Sequence, residues 1–242
     1  DVRFIPLSAL KGDNVVERST EMLWYEGSTL MFLLETIHIG SDYNHVDRRF
    51  PVQSVIRPQT TEYHDYRGYA GRIAGGIFKP GDKVTVLPSG FSSKIKSIDT
   101  YDGSIDEAFT PMSVTITLED DIDVGRGDMI VAEKNQPKVT QDIDVMVCWL
   151  NNKAIVLNGK YALKHTTNHV RCLVKEIQYK VDVNTLHKIE DDRTIKMNDI
   201  ARLKLRTTAP LFIDKYNRNR VTGSLILIDE ATNETVGAGM II

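Results

Sequence analysis

The chain is poor in cysteine. Its 242 residues hold two, Cys148 and Cys172, with no Cys-x-x-Cys spacing. That excludes a disulfide framework and a zinc ribbon, and it predicts two buried, reduced thiols in a cytoplasmic setting. Long apolar runs are also missing. No stretch approaches the ~20 apolar residues needed to span a bilayer, so no membrane partner is expected, and no charged-then-apolar leader precedes Phe4. Nor is there a basic excess. Thirty Lys and Arg against 33 Asp and Glu leave a net charge of −3, which provides no electrostatic case for a nucleic-acid partner. What remains is ordinary globular composition, long enough for one large domain or two modest ones.

Familiar chemical motifs are absent as well. A phosphate-binding loop needs G-x-x-x-x-G-K-[ST], because glycine backbone wraps the phosphate while Lys and Ser/Thr serve charge and Mg²⁺. Gly76 to Gly81, GIFKPG, has the glycine spacing but is followed by Asp82, an acid where phosphate would sit; a turn between strands is expected. Asp65-Tyr66-Arg67-Gly68 matches D-x-x-G by coincidence, and Asn152-Lys153-Ala154-Ile155 lacks the aspartate that reads guanine. His165 and His169 are four apart. On a strand, such residues stand about 13 Å from each other, so hydrogen-bonded or solvated histidines are expected, not a metal pair. The acidic run Glu119-Asp120-Asp121-Ile122-Asp123 lacks the glycine and closing glutamate of a calcium loop. Arg126-Gly127-Asp128 reads as a turn before a strand. No Ser–His–Asp or Cys–His set emerges, and neither catalytic residues nor metal ligands are assigned.

One segment is convincingly helical. Ser28 is placed to cap it. Leu30, Leu33, Leu34 and Ile37 recur at helical spacing for roughly three turns, and Gly40 stops it. Residues 41–49, SDYNHVDRR, read as a polar linker. From Phe50 the pattern becomes short alternating runs broken by Pro, Gly, Asn and Asp every 8–12 residues or so, the mark of an all-β fold. Strands are expected in KVTVL (Val84 and Val86 on one face), SSKIKSI, SVTITL and DIDVMVCWL. His169 to Val183 is too long for one flat strand and predicts a bulge. Ala201, Leu203 and Leu205 alternate with Arg202, Lys204 and Arg206. Leu225 to Ile228 is apolar on both faces, and Asn233 marks the next turn. The predicted fold class is mainly β: two consecutive closed antiparallel barrels of six or seven strands after a short α/β segment. The expected divisions are 1–45, 46–137 and 138–242. Closure removes exposed sheet edges.

Two basic and aromatic clusters are candidate partner interfaces: Arg67, Tyr69 and Arg72 in YRGYAGRI, and Lys215, Arg218 and Arg220 in DKYNRNR. Arginine forks suit carboxylate or phosphate, and Tyr and Arg are enriched at interface hot spots. The alternative for each is a charged surface loop.

The order strand, Ser-Ala-Leu turn, helix, barrel, barrel resembles the back half of the elongation factor Tu class of GTPases. FIPLSALKGDN (Phe4 to Asn14) is similar to the closing strand and guanine-contacting turn of their nucleotide domain, and GYAGRIAGGIFKPGDKVTVLPSG to their second domain. PVQSVIRP, DYRGYAGRIAGG, LKHTT and YNRNRVTGSLILIDEATNETVGAGMI more specifically resemble the large, GTPase subunit of the bacterial heterodimeric sulfate adenylyltransferases. The resemblance implies a role in making adenosine 5′-phosphosulfate and pyrophosphate from ATP and sulfate, with GTP hydrolysis as the driving force. It implies GTP and Mg²⁺ as cofactors of the longer protein. Partners would be a small ATP-pyrophosphatase-like catalytic subunit, the chain's own GTPase domain and, in some members, a fused adenylylsulfate kinase after residue 242. By the same resemblance Ser8, Ala9 and Leu10 would face the guanine. Phosphate loop, switches and the Asn-Lys-x-Asp motif are absent from these residues, so this stretch alone is expected to be inactive, with no cofactor of its own. The alternative is a translation GTPase whose barrels bind tRNA or ribosome.

Overall fold

The computed structural model describes residues 3–37, 43–58 and 65–242. Two units are distinguished, Asp1–Asp42 and Tyr43–Ile242.

In the first unit, helix α1 spans Leu30–Thr36. Thr29, not the expected Ser28, is its N-cap: extended at φ −71°, ψ 162°, it accepts from the Phe32 amide. Both are good capping types, and the geometry selects the one directly before the first helical residue. The helix is two turns long rather than three, and the expected stop at Gly40 lies outside the described residues. Residues 3–7 carry no ladder; Ser8 forms a single bridge to Asp13. Buried Asn14, at φ 57°, ties the neighbouring loop together, taking the Ser19 amide on Oδ1 and donating from Nδ2 to the Pro6 carbonyl.

The second unit begins with strands β1 (Arg49–Ile56), β2 (Gly68–Arg72), β3 (Ile77–Phe78), β4 (Lys83–Leu87) and β5 (Ser92–Thr100). Next come β6 (Gly103–Ser104), β7 (Ala108–Phe109), β8 (Ser113–Leu118) and β9 (Met129–Ala132). The order β4-β9-β1-β2-β8-β5 closes through a β4–β5 pairing, giving a six-stranded antiparallel barrel. Phe50, Val52, Val84, Val86, Ile95 and Ile116 fill it. Within GIFKPG, Ile77–Phe78 form β3 and the expected turn follows it; Gly76 and Gly81 take φ +78° and +86°, and Asp82 caps the Lys79 amide.

The remaining strands are β10 (Lys138–Trp149), β11 (Lys160–His165), β12 (Asn168–Val181), β13 (Lys188–Ile189), β14 (Ile200–Ile213), β15 (Ser224–Ile228) and β16 (Thr235–Ile241). The order β11-β15-β16-β10-β14-β12 closes through β11–β12. The long strand β12 is bulged, with register shifts at Val174/Glu176 and Ile177/Tyr179. Along β14 the alternation is observed: Ala201, Leu203 and Leu205 are buried. Arg202, Lys204 and Arg206 pair outside with Asp144, Glu176 and Asp142. Asn233, at φ 58°, turns β15 into β16.

Candidate functional site

The described residues contain no group of three or more His, Cys, Asp or Glu side chains able to hold a metal ion. The most elaborate polar construction lies between the barrels. Arg49, the first residue of β1, is 1% exposed. Its Nε and Nη2 donate to Asp214 Oδ2 and Oδ1 at 2.8 and 3.0 Å, across to the second barrel. Its Nη1 donates to the carbonyls of Asn135 (2.7 Å) and Arg48 (2.9 Å). A second fork runs the other way: Arg218 Nε and Nη2 each reach Asp47 at 2.6 Å. Asp47 also accepts from Asn44 and Asn135. Bidentate arginine–carboxylate contacts fix orientation as well as distance.

Shorter links complete the junction. Asn219 Nδ2 donates to the Ala74 carbonyl, and Asn44 Nδ2 to the Arg218 carbonyl, both at 3.0 Å. Phe212 of β14 packs with Leu87, Met129 and Val131 of the first barrel. Gly75 is required by this approach. A Cβ there would stand 2.5 Å from the Asp47 carbonyl oxygen and 2.7 Å from Asn219 Nδ2. A Gly75→Ala substitution is therefore expected to shift the junction and lower the thermal midpoint by several degrees; a midpoint equal to wild type would show that the barrels are not held this closely.

Behind Asp214 the network continues inward. Thr222 Oγ1 donates to Asp214 Oδ2 at 2.7 Å, and His165 Nε2 donates to the Thr222 carbonyl at 2.8 Å. His165 is 1% exposed, and burial holds its pKa below 6.5, against the opposing pull of the Thr222 carbonyl and Asp214. His169 is an exposed residue of the facing strand, so the pair is a hairpin detail. The Arg218 fork and two asparagines hold the Asp47 carboxyl well below its ordinary 3.8 against the cost of burial.

Both shifts make acid destabilising, in separate windows. A neutral His165 contributes fully above pH 6.5; below it the unfolded chain takes up the proton first, and stability falls by up to about 1.4 kcal/mol per pH unit. Asp47 contributes above its unfolded value of 3.8 and is lost only further down. His165→Gln is expected to flatten the stability profile in the window that opens just below pH 6.5 and leave the lower limb. An unchanged upper limb in urea titrations would exclude His165 as its source.

The candidate residues from the sequence fall in separate places. Ser8, Ala9 and Leu10 lie in a turn closed by the Gly12 amide on the Ser8 carbonyl (2.8 Å), with the Lys11 amide on Ser8 Oγ (3.3 Å). Leu10 is 97% exposed. Arg67 Nη1 and the buried Tyr69 hydroxyl both donate to the Ile122 carbonyl, at 3.0 and 2.7 Å, and Arg67 also pairs with Asp121. Arg72 Nε donates to the Pro111 carbonyl. The structure thus joins Arg67 with Tyr69 but directs Arg72 elsewhere. Arg218 belongs to the junction, Lys215 is exposed, and Arg220 lines a groove on the second barrel. Asp47, Arg49, Asn135, Asp214, Asn219 and Thr222 carry no functional signal in the sequence, and His165 stands out there only by its spacing from His169. The segment that reads as a linker supplies two of them.

Residues 142–242 match the family described as GTP-eEF1A C-terminal domain-like. Over its entire length the chain is 50% identical to part of the bifunctional enzyme CysN/CysC of Mycobacterium tuberculosis and 48% identical to sulfate adenylyltransferase subunit 1 of Bacteroides thetaiotaomicron. The chain is homologous throughout to sulfate adenylyltransferase subunit 1. It spans 51% of the Bacteroides subunit and 40% of the Mycobacterium enzyme. Sulfate adenylyltransferase subunit 1 of Aliarcobacter butzleri is 45% identical, with 50% of its length covered. In fold, the chain is similar to Sup35 complexed with GDP, at TM-score 0.74 and 21% identity, covering all of this chain and 59% of that one. The barrel pair expected from the sequence is thus the observed architecture, shared with Sup35, while the sequence relationship is to the subunit 1 proteins. Among the described residues no helix is long and apolar enough to cross a membrane.

Proposed function

We propose that this chain forms the docking and coupling barrels of the GTP-hydrolysing subunit of a sulfate adenylyltransferase. That enzyme would join ATP and sulfate into adenosine 5′-phosphosulfate and pyrophosphate in the cytoplasm, with a separate catalytic subunit as partner. The observation that carries the reading is the two-fork junction, on a chain homologous along its whole length to subunit 1. Coupling between distant sites requires an element with discrete arrangements that each site favours differently. Two barrels clamped by Arg49–Asp214 and Asp47–Arg218 can move as one body, so a contact change at one barrel is delivered at the other instead of being absorbed between them.

GTP and Mg²⁺ belong to the longer protein in this reading. Here, the turn at Ser8 to Leu10 would border the guanine, and the Ser8 oxygens are already engaged by the backbone of that turn. The bifunctional relatives support a further fused domain, an adenylylsulfate kinase, in some members. Calorimetry on these 242 residues is expected to show no tight GTP binding; a low micromolar Kd would overturn the assignment of the nucleotide site to residues outside this chain. The docking reading is tested on the full-length protein with the catalytic subunit: stable association supports it, and two proteins that never associate contradict it.

A further inference from the structure

The wall of the second barrel is apolar on its outer face where Met146 and Cys148 of β10, Ala238 and Met240 of β16 and Ile226 of β15 lie side by side. In a closed barrel one face of each strand fills the interior and the other meets solvent, so an apolar outer face needs a cover. Leu225 and Leu227 point inward and are buried, while Ile226 between them lies outside with Ala238 and Met240 of β16 and Met146 and Cys148 of β10. Register places Ala238 at the middle, opposite Cys148 on one side and Ile226 on the other. Together with Val221 and Tyr216 these residues line an open groove of about 690 Å³. Among the described residues its lining includes the exposed cation Lys164 and no carboxylate.

We infer that this groove docks a protein segment that inserts apolar side chains over Ala238 and sets a carboxylate beside Lys164. The occupant assigned is a segment of the catalytic subunit, so the inference rests on the docking reading above. Charge selects the chemistry: with Lys164 at the lining and no acid among the described lining residues, an acidic apolar segment is complementary and a basic one is not. An apolar strip with a few polar groups around it is the usual composition of a recognition surface.

Cys148 is a native reporter inside the groove, and buried Cys172, whose thiol burial pushes up to about 12, is the internal control. The experiment uses the full-length protein with its catalytic subunit. Alkylation of Cys148 by iodoacetamide is expected to slow on complex formation while Cys172 stays unreactive. Ala238→Glu fills the middle of the groove with a side chain that repels the occupant's carboxylate, and is expected to weaken association at least ~10-fold. Lys164→Glu should weaken it and reverse the salt dependence, whereas Lys83→Glu, on the first barrel, should do neither. Wild-type affinity in Ala238→Glu, or Cys148 labelling unchanged in a complex that does form, overturns the groove and leaves the docking reading standing. Proteins that never associate overturn both. Protection of Cys148 before the catalytic subunit is added assigns the groove to the protein's own chain or to a second copy, and equally overturns the inference.

Discussion

Replacing Arg49 with alanine is expected to cost about 3–5 kcal/mol of folding free energy, the range for removing one partner of a buried ion pair. The side chain is 1% exposed and its partner Asp214 6%, so neither is rescued by water. Without Arg49, Asp214 keeps the Thr222 hydroxyl but loses both guanidinium donors, and the carbonyls of Asn135 and Arg48 lose a shared one. Lysine should not restore the loss, because an ammonium cannot serve a carboxylate bidentately and two carbonyls at once. The contrast is Arg171→Ala. That guanidinium pairs with Glu230 at the surface, 71% exposed, where ion pairs contribute about 0–1 kcal/mol. Urea unfolding of both variants checks the difference. An Arg49→Ala loss no larger than that of Arg171→Ala would mean that the junction contributes little to stability.

Trp149→Ala is expected to cost a similar amount, about 3–5 kcal/mol, by lost burial and the cavity left behind. Trp149 is 1% exposed at the end of β10, packs edge-on to Tyr161 at 5.5 Å, and donates from Nε1 to the Lys153 carbonyl at 2.7 Å. Gly237 makes room for it: a Cβ there would lie 3.3 Å from the indole. The other tryptophan, Trp24, is 73% exposed, and its replacement should cost almost nothing in this chain. Trp24→Phe therefore leaves a single buried reporter, with blue-shifted emission that moves red on unfolding. Emission already red in that folded variant would contradict the burial of Trp149.

Local pattern made the barrels legible. Strict alternation in β14, the apolar pairs of β4 and β15 and the turn at Asn233 depend on neighbours in sequence, and each is present. The long run before Val183 was readable as bulged because a flat strand of that length does not follow a barrel's curvature. Capping was ambiguous, since Ser28 and Thr29 are chemically equivalent and only backbone angles separate them. The junction was not legible. Asp47 and Arg49 look the same in a solvated linker and in a buried clamp; their partners Arg218 and Asp214 are 171 and 165 residues away, and no local period encodes that pairing. Arg218 stands out in the sequence as an interface residue, but its fork closes within the chain. The apolar outer face had one local sign, LILI, apolar at consecutive positions where a barrel wall needs only alternate ones.

The central claim, that the clamped barrels transmit GTP hydrolysis to adenylyl transfer, is tested most directly by Arg218→Ala in the full-length protein assembled with its catalytic subunit. GTP hydrolysis and adenosine 5′-phosphosulfate formation are measured together. The account predicts that hydrolysis persists while its stimulation of product formation falls, because the Asp47 fork is open and the clamp rests on Arg49–Asp214 alone. A variant that hydrolyses GTP and still couples each turnover to product as the wild type does would contradict it.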